Sequence, residues 1–297
     1  MPAGGLVNGP SLGTVAFIGI GLIGGSLALA LRQAGLAERI VARDQSPAAL
    51  AEALALGVID EALPDDEALR DADLIILATP VAALFDICAR LARLPLKADV
   101  VISDVGSTKR SVLAAFRQAY GRVPANYVPA HPIAGREKSG VAHADGRLFV
   151  NHRVILTTLP ETDHRALGLI SRLWHSTGAL LSYMDVDSHD EILGATSHLP
   201  HLLAYVLVDM LASDLQHEQI FSYAAGGFRD FTRVASSHPT MWRDIALNNS
   251  DVLIQLLETY RQRLGDLQQL LRTGRGDELE ALFRRAKTAR DQHYSQE

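Results

Sequence analysis

Two features of this 297-residue chain predict an α/β fold, a doubly wound parallel sheet followed by an all-helical domain. Short, uninterrupted apolar runs alternate with helical segments as far as Tyr183. This is the pattern of parallel strands covered on both faces. No strand-like run follows, and later apolar residues recur at helical spacing. The expected layout is a disordered tail over 1–13, a sheet domain over 14–184 and a helical domain over 185–297.

The first strand is predicted at Val15 to Ile18, an apolar run leading into Gly19, and a helix at the Ala/Leu run from Leu27 to Leu31. Arg39 to Arg43 is the second strand. Ser46 and Pro47 cap a helix that runs to about Leu56 and stops at Gly57. Leu74 to Leu77 and Val100 to Ile102 are further buried strands, each followed by a helix, the second ending near Tyr120. Tyr127-Val128 leads into Pro129-Ala130-His131-Pro132, with His131 expected on a loop past the strand end. Val154 to Leu156 and Ala179 to Leu181 flank a helix centred on Leu169. Leu199, Leu202, Leu203, Val206 and Met210 form one helical stripe, and Leu253 to Leu271 a second, ending near Arg272. A last helix covers about Asp277 to Arg290. These stripes fit either an internal core or burial against a second subunit.

Gly19, Gly21 and Gly24 stand at G-x-G-x-x-G spacing between the first strand and its helix. That order builds a dinucleotide site of the Rossmann type: a tight turn, close backbone approach to the pyrophosphate, and a helix N-terminus aimed at it. Asp44 ends the second strand, 20 residues after Gly24. An acid there accepts the ribose hydroxyls of NAD and repels the 2′-phosphate of NADP. Arg43 beside it is discordant, since a neighbouring Arg helps hold a 2′-phosphate, so NADP stays the second choice. The plainer reading is a glycine turn with a surface Asp. The predicted cofactor set is Gly19, Gly21, Leu22, Ile23, Gly24 and Asp44, with Thr79, Pro80 and Ser107 at the next strand ends.

Composition narrows the classes. Apolar content of 48% and charged content of 21% are those of a globular protein. A net charge of −6 without a Lys/Arg block gives no footprint for nucleic acid. The most apolar stretch, Ala72 to Ala92, is broken by Asp73, Pro80, Asp86 and Arg90, which argues against a membrane span. Cys88 is the one cysteine, so no internal disulfide forms, and it reads as a small core residue. The Gly/Pro-rich start lacks an apolar signal segment. A cytoplasmic enzyme is the expectation.

Three clusters carry chemistry: Asp104-Val105-Gly106-Ser107-Thr108-Lys109, then His131-Pro132-Ile133-Ala134-Gly135-Arg136-Glu137, then Ser197-His198-Leu199-Pro200-His201 with Gly227-Phe228-Arg229-Asp230-Phe231-Thr232-Arg233. With these strings the chain, from Val15 to its C-terminal helices, closely resembles the prephenate/arogenate dehydrogenase family of tyrosine biosynthesis. H-P-I-A-G, S-H-L-P-H and G-F-R-D-x-T-R are far more specific than the glycine loop.

The resemblance implies oxidative decarboxylation of a cyclohexadienol, prephenate or arogenate, with hydride passing to NAD and a homodimer as the working unit. It implies His131 as the base that takes the hydroxyl proton, a role that suits an imidazole with an ordinary pKa of ~6.5. The plainer role of His131 is to structure the turn before Pro132. Ser107 resembles the serine that hydrogen-bonds that histidine near the nicotinamide; it also suits an N-cap. Arg233 matches the arginine that grips a substrate carboxylate, and a guanidinium fork does this as Lys cannot. Ser197 and His201 resemble the pair that binds the substrate side chain, or else serve ordinary helix packing. Trp242 has a counterpart near the substrate mouth and otherwise reads as a buried helix tryptophan. Arg229 is either a substrate contact or a structural partner of Asp230. Glu137 and Arg136 are placed to gate the site or touch the side chain. A metal site of His189, His198 and His201 can be drawn, but hydride transfer needs none. No chorismate mutase-like segment or regulatory module is recognisable, so any feedback by tyrosine would have to act at the active site itself.

Two other classes compete. An NAD-binding sensor would keep the glycines and Asp44 but has no need of Ser107, His131 and Arg233 together. β-Hydroxyacid and imine reductases share the layout, yet resemble this chain only over its first forty-odd residues.

Overall fold

The apolar runs become strands because both faces of each are shielded by helices. The computed structural model describes residues 11–136, 138–215 and 217–294. Strands β1 (Thr14–Ile18), β2 (Arg39–Arg43), β3 (Glu61–Ala62), β4 (Leu74–Leu77), β5 (Val101–Asp104), β6 (Tyr127–Pro132), β7 (Arg153–Thr157) and β8 (Leu180–Met184) form one sheet in the order β3-β2-β1-β4-β5-β6-β7-β8. One face packs on α1 (Leu22–Ala34), α2 (Pro47–Ala55) and α5 (His164–Ser176) through Phe17, Leu27, Leu50, Leu156 and Trp174. The other packs on α3 (Leu84–Leu91) and α4 (Arg110–Tyr120) through Ile75, Leu84, Cys88, Phe116 and Tyr127. The chain leaves β1 on opposite sides for β2 and β4. That reversal opens a crevice at the carboxyl ends of β1 and β4.

The sheet is not wholly parallel: β6 and β7 run antiparallel. No α-helix lies between them, only a loop with one 3₁₀ turn, so the chain returns without the crossover a parallel pair needs. This pairing also corrects the position of His131, which lies within β6. Asp104, the last residue of β5, pairs with Pro129; Ala130, His131 and Pro132 overshoot it and pair with Leu156, Ile155 and Val154. The predicted tail over 1–13 is described only from residue 11 onward. Residues 1–10 lie outside the described residues, whereas Leu12 is buried in the core and its amide donates to the Leu36 carbonyl. Strand β3 has only two residues, too short for a periodic signal.

The chain divides into two compact units, Met1–Ser250 and Asp251–Glu297. In the first, α6 (Val186–Leu193) continues through a π-helical turn, Gly194–His198, into α7 (Leu199–Ala212). Pro200 stands in the second position of α7. It lacks the N–H of a regular turn and its ring crowds the preceding carbonyl, which fits the widening there. α8 (His217–Ser222), α9 (Gly226–Thr232) and α10 (Pro239–Asn248) follow. α11 (Ser250–Arg272) begins at the end of this unit, and most of its length, with α12 (Gly276–Tyr294), makes up the second. No helix of the described residues is long and apolar enough to cross a membrane.

Gly19 has φ +93°, and a Cβ there would stand 2.6 Å from the Ala78 carbonyl oxygen. Gly19→Ala is therefore expected to cost at least ~1–3 kcal/mol and to lower Tm by several degrees. A thermal melt equal to wild type would show that the β1–α1 turn tolerates a side chain.

Candidate active site

The first part of the site is the turn between β1 and α1. A Cβ on Gly24 would lie 2.5 Å from the Gly19 carbonyl oxygen, whereas one on Gly21 would meet nothing within 4 Å. Gly19 and Gly24 are thus closed against protein, and Gly21 faces open space that a pyrophosphate can enter. The cap at Gly21 adds no side-chain hydrogen bond, and the first turn of α1 holds no acid. The amides of Leu22, Ile23 and Gly24 are therefore available to an anion. Asp44 is tied to this turn: the Ile20 amide donates to its Oδ2 at 2.9 Å and the Ser46 amide to its Oδ1 at 2.8 Å. Each oxygen keeps a further lone pair for a ribose hydroxyl. Thr79 Oγ1 is sealed from solvent with no partner, and Pro80 beside it is exposed. The donor set, open Gly21 and orphaned hydroxyl fit a dinucleotide.

The second part is built on the β6 overshoot. His131 Nδ1 lies 2.9 Å from His189 Nε2, and His189 Nδ1 lies 2.7 Å from Asp190 Oδ1. The Asp190 carboxylate also accepts the Lys109 amide at 2.8 Å and the Arg110 amide at 2.9 Å. A carboxylate only accepts, which orders the chain of protons. His189 donates from Nδ1, so its Nε2 accepts; His131 then donates from Nδ1, so its Nε2 carries the lone pair. That Nε2 has no hydrogen bond and is not sealed from solvent, and His131 keeps 8% of its surface open while His189 keeps none. The result is one accessible base with its tautomer fixed from behind.

Electrostatics keep this base neutral. Burial, then His189, Lys109 and His198, push the His131 pKa well below its ordinary value. Burial lowers His189 as well, against the opposing pull of Asp190. Burial alone would raise Asp190, but hydrogen bonds from His189 and from the Arg110 and Lys109 amides hold it below the usual carboxylate range. Below the histidine, fully buried Lys109 donates to Asp104 and to the Ala130 carbonyl, while Tyr127 donates to the other Asp104 oxygen at 2.7 Å. Lys109 thus grips the peptide that precedes His131.

The third part lies around the π-turn. His201 donates from Nδ1 to the Ser197 carbonyl at 2.8 Å and stacks on the Trp242 ring with centroids 3.6 Å apart. Burial lowers the His201 pKa, and the nearby Arg233 charge lowers it further. Ser197, His201, Trp242 and Arg233 are thus brought together. His198 is buried; Asn249 donates to its Nδ1 at 3.1 Å and to the Asp190 carbonyl at 2.8 Å. Burial pushes the His198 pKa down to about 4.

Several expectations change. Ser107 is half-buried and makes no hydrogen bond to His131; His189 holds that nitrogen instead. Nor does Ser107 cap α4, which starts at Arg110 with the Asp190 carboxylate on its first amides. Arg229 and Asp230 are both exposed, and among the described residues no ion pair joins them. Arg136 pairs with Asp145 at 2.5 Å, and the Asp145 amide donates to Ser26 Oγ of α1. Glu137 lies outside the described residues. Among the described residues no three His, Cys, Asp or Glu side chains are grouped to hold a metal. Asp190 and the relay role of His189 went unread, because helix spacing marks them only as ordinary polar positions of α6.

The family model described as "Prephenate dehydrogenase, nucleotide-binding domain" matches residues 27–183, and "Prephenate dehydrogenase, dimerization domain" matches 185–285. A cyclohexadienyl dehydrogenase of Zymomonas mobilis is 36% identical over 93% of this chain and 94% of its own length. A prephenate dehydrogenase of Bacillus subtilis is 37% identical over 94% of this chain and 74% of its own. Among solved structures, prephenate dehydrogenase of A. aeolicus in complex with hydroxyphenyl propionate and NAD+ superposes with a TM-score of 0.87 at 35% identity, covering 95% of this chain and 98% of that one. Synechocystis arogenate dehydrogenase gives 0.78 at 27% identity, covering 94% and 99%.

The buried imidazoles make stability depend on pH. His131, His189 and His198 all have folded-state pKa values below the ordinary one. The unfolded chain therefore binds protons first as pH falls. Stability in denaturant should be level above about pH 7 and should decline as pH drops through ~6.5 and below. Equal unfolding midpoints at pH 7.5 and pH 5 would show that these rings are protonated in place.

Proposed function

The chain belongs to the prephenate dehydrogenase family, and we propose that it oxidises and decarboxylates prephenate to 4-hydroxyphenylpyruvate with His131 as the general base. The observation that carries the residue assignment is the ordered chain Asp190–His189–His131, which leaves a lone pair on His131 Nε2. NAD, held at the β1–α1 turn, would supply the acceptor for the hydride of the hydroxyl-bearing ring carbon, whose loss lets the ring carboxylate leave as CO₂ and the ring become aromatic. The proton of that hydroxyl goes to His131 Nε2 and returns to the ring oxygen once CO₂ has left, so that the product carries a phenol. The imidazolium so formed still donates from Nδ1 to His189, whose far nitrogen donates to the Asp190 carboxylate. Lys109, through the Ala130 carbonyl, holds the strand that carries His131.

Arg233 supplies a cation beside His201 and takes a substrate carboxylate; Ser197, His201 and Trp242 line the side-chain end. Gly21, Leu22, Ile23, Gly24, Asp44 and Thr79 hold the cofactor. Ser107, half-buried at the end of β5, has a hydroxyl free for the nicotinamide side. The helices form a homodimer: Val206 and Met210 of α7, and Leu257, Tyr260, Leu264 and Leu271 of α11, are large apolar side chains left exposed in a segment that matches a dimerisation domain. A cytoplasmic setting fits a chain whose one cysteine is a buried free thiol.

His131→Asn should lower kcat by ~10²–10⁴-fold with NAD binding little changed. In the wild type the acid limb of kcat should fall below the ordinary histidine range, since the pKa of His131 is depressed. A variant that turns over like wild type would remove His131 from the chemistry. Arg233→Ala should raise the prephenate KM by roughly 30-fold, with Arg233→Lys recovering only part; the same series run on arogenate reads the side-chain preference. Sedimentation should give a dimer burying more than ~2,000 Å² in total; a fully active monomer at micromolar concentration would refute the assembly.

A further inference from the structure

Arg43 is the residue that conflicts with an NAD site, and the structure shows what is done with it. It ends β2 directly before Asp44, at the edge where the cofactor set lies. Its side chain is engaged within the protein: Nη1 donates to the Asp44 carbonyl, and Nε stands 3.7 Å from Asp66 Oδ1. The other oxygen of Asp66 is 3.1 Å from Arg90 Nε on α3. Asp66 follows β3 and its carboxylate is only 20% exposed, less than either arginine. One carboxylate therefore holds two guanidinium groups.

The hold on Arg43 is by charge more than by hydrogen bonds. At 3.7 Å the Nε contact is too long for a hydrogen bond, and Arg43 Nε is sealed from solvent without a partner. With Nε closed off, Arg43 offers a ligand nothing from that side, although a guanidinium freed from its carboxylate presents a planar fork that suits a phosphate. Asp44, Asp66, Arg43 and Arg90 sum to zero charge. A 2′-phosphate brings about −1.5 to −2, and it would meet two carboxylates and two occupied cations.

We propose that Asp66 is a cofactor-selectivity residue, which keeps Arg43 and Arg90 neutralised so that Arg43 cannot receive the 2′-phosphate of NADP. The inference rests on Asp44 as the ribose acceptor. Selectivity for NAD is then a two-carboxylate device, Asp44 acting on the ribose directly and Asp66 through the arginine. Removing Asp44 alone leaves Arg43 still held.

The test is calorimetric binding of NAD+ and NADP+, without substrate, to wild type, Asp44→Ser, Asp66→Asn and the double variant, with thermal melts alongside. Asp66→Asn should leave the NAD+ Kd close to wild type. In the double variant the NADP+ Kd should fall further than the product of the single changes, by roughly 5- to 50-fold, as for groups that share a partner. Arg43→Ala added to the double variant should abolish that gain, and Asp66→Glu should behave as wild type. Strictly multiplicative effects, or a gain that survives loss of Arg43, would overturn the proposal. If Asp66→Asn does not fold, Arg43→Ala in the Asp44→Ser background decides: with Asp66 in place it should leave the NADP+ Kd unchanged, and a weakened Kd means that Arg43 was never held back. If Asp44→Ser leaves NAD+ binding intact, the ribose reading itself fails and the Asp66 proposal fails with it.

Discussion

The Asp190 carboxylate is the group on which the arrangement depends. Burying an ionised carboxylate is costly unless its lone pairs are taken up. Here three donors take them: the Lys109 and Arg110 amides and the His189 ring. The first two are orphan amides at the start of α4, where a negative charge also meets the positive end of the helix dipole. A helix cap is thus supplied by a residue some eighty positions later in the chain, and those bonds tie α6 to the start of α4. The backbone carbonyl of the same residue receives Gly194 within the helix and Asn249 from beyond α10. Asn249 in turn orients His198. One residue therefore joins the start of α4, the π-turn and the end of α10.

A second buried charge set works on the strand. Lys109, Asp104 and Tyr127 are fully or almost fully sealed, and the Gly106 amide donates to the same carboxylate at 2.8 Å. A buried ion pair is no guarantee of net stability, since desolvation offsets much of the attraction. Its use here is positional. The carboxyl ends of β5 and β6 are cross-tied by side chains at the point where β6 outruns its parallel neighbour. β7 supplies backbone pairing for the overshoot, so His131 sits on a hydrogen-bonded strand and inherits its rigidity.

The parts of the site that could be read in advance are those whose pattern is local. The glycine spacing, the acid at the end of β2 and the apolar strands each follow from contacts within a few tens of residues. Ser197 and His201 sit one helical turn apart, so their neighbourhood was also legible. His131, the proposed base, stands out by its motif, but its partner does not. His189 and Asp190 are adjacent on α6, and nothing in their spacing says that one reaches β6 and the other reaches α4. The resemblance offered Ser107 as the partner of His131, and its place just before α4 offered it as a cap, whereas tertiary packing gave both tasks to α6. The antiparallel strand escaped notice for a related reason: an apolar run does not state its direction, and the missing crossover helix was the only cue.

The interposed imidazole has a consequence for the chemistry. A carboxylate in direct contact with His131 would fix the tautomer, but it would also favour the charged ring and raise its pKa. With His189 between them, Asp190 still dictates which nitrogen carries the proton, because hydrogen-bond direction passes through a neutral ring unchanged. Its Coulombic pull, by contrast, weakens with the added distance. Burial, and after it the neighbouring His189 and Lys109, then decide the matter, and the His131 pKa is lowered, not raised. The buried charges nearest the base, Asp104, Lys109 and Asp190, sum to minus one, yet burial outweighs them and the proton affinity of the ring stays low. The fold thereby separates two properties that usually travel together, a fixed tautomer and a high proton affinity. A neutral base of low affinity suits a step in which the hydroxyl proton need only be received as the hydride departs, and released again before the next substrate binds.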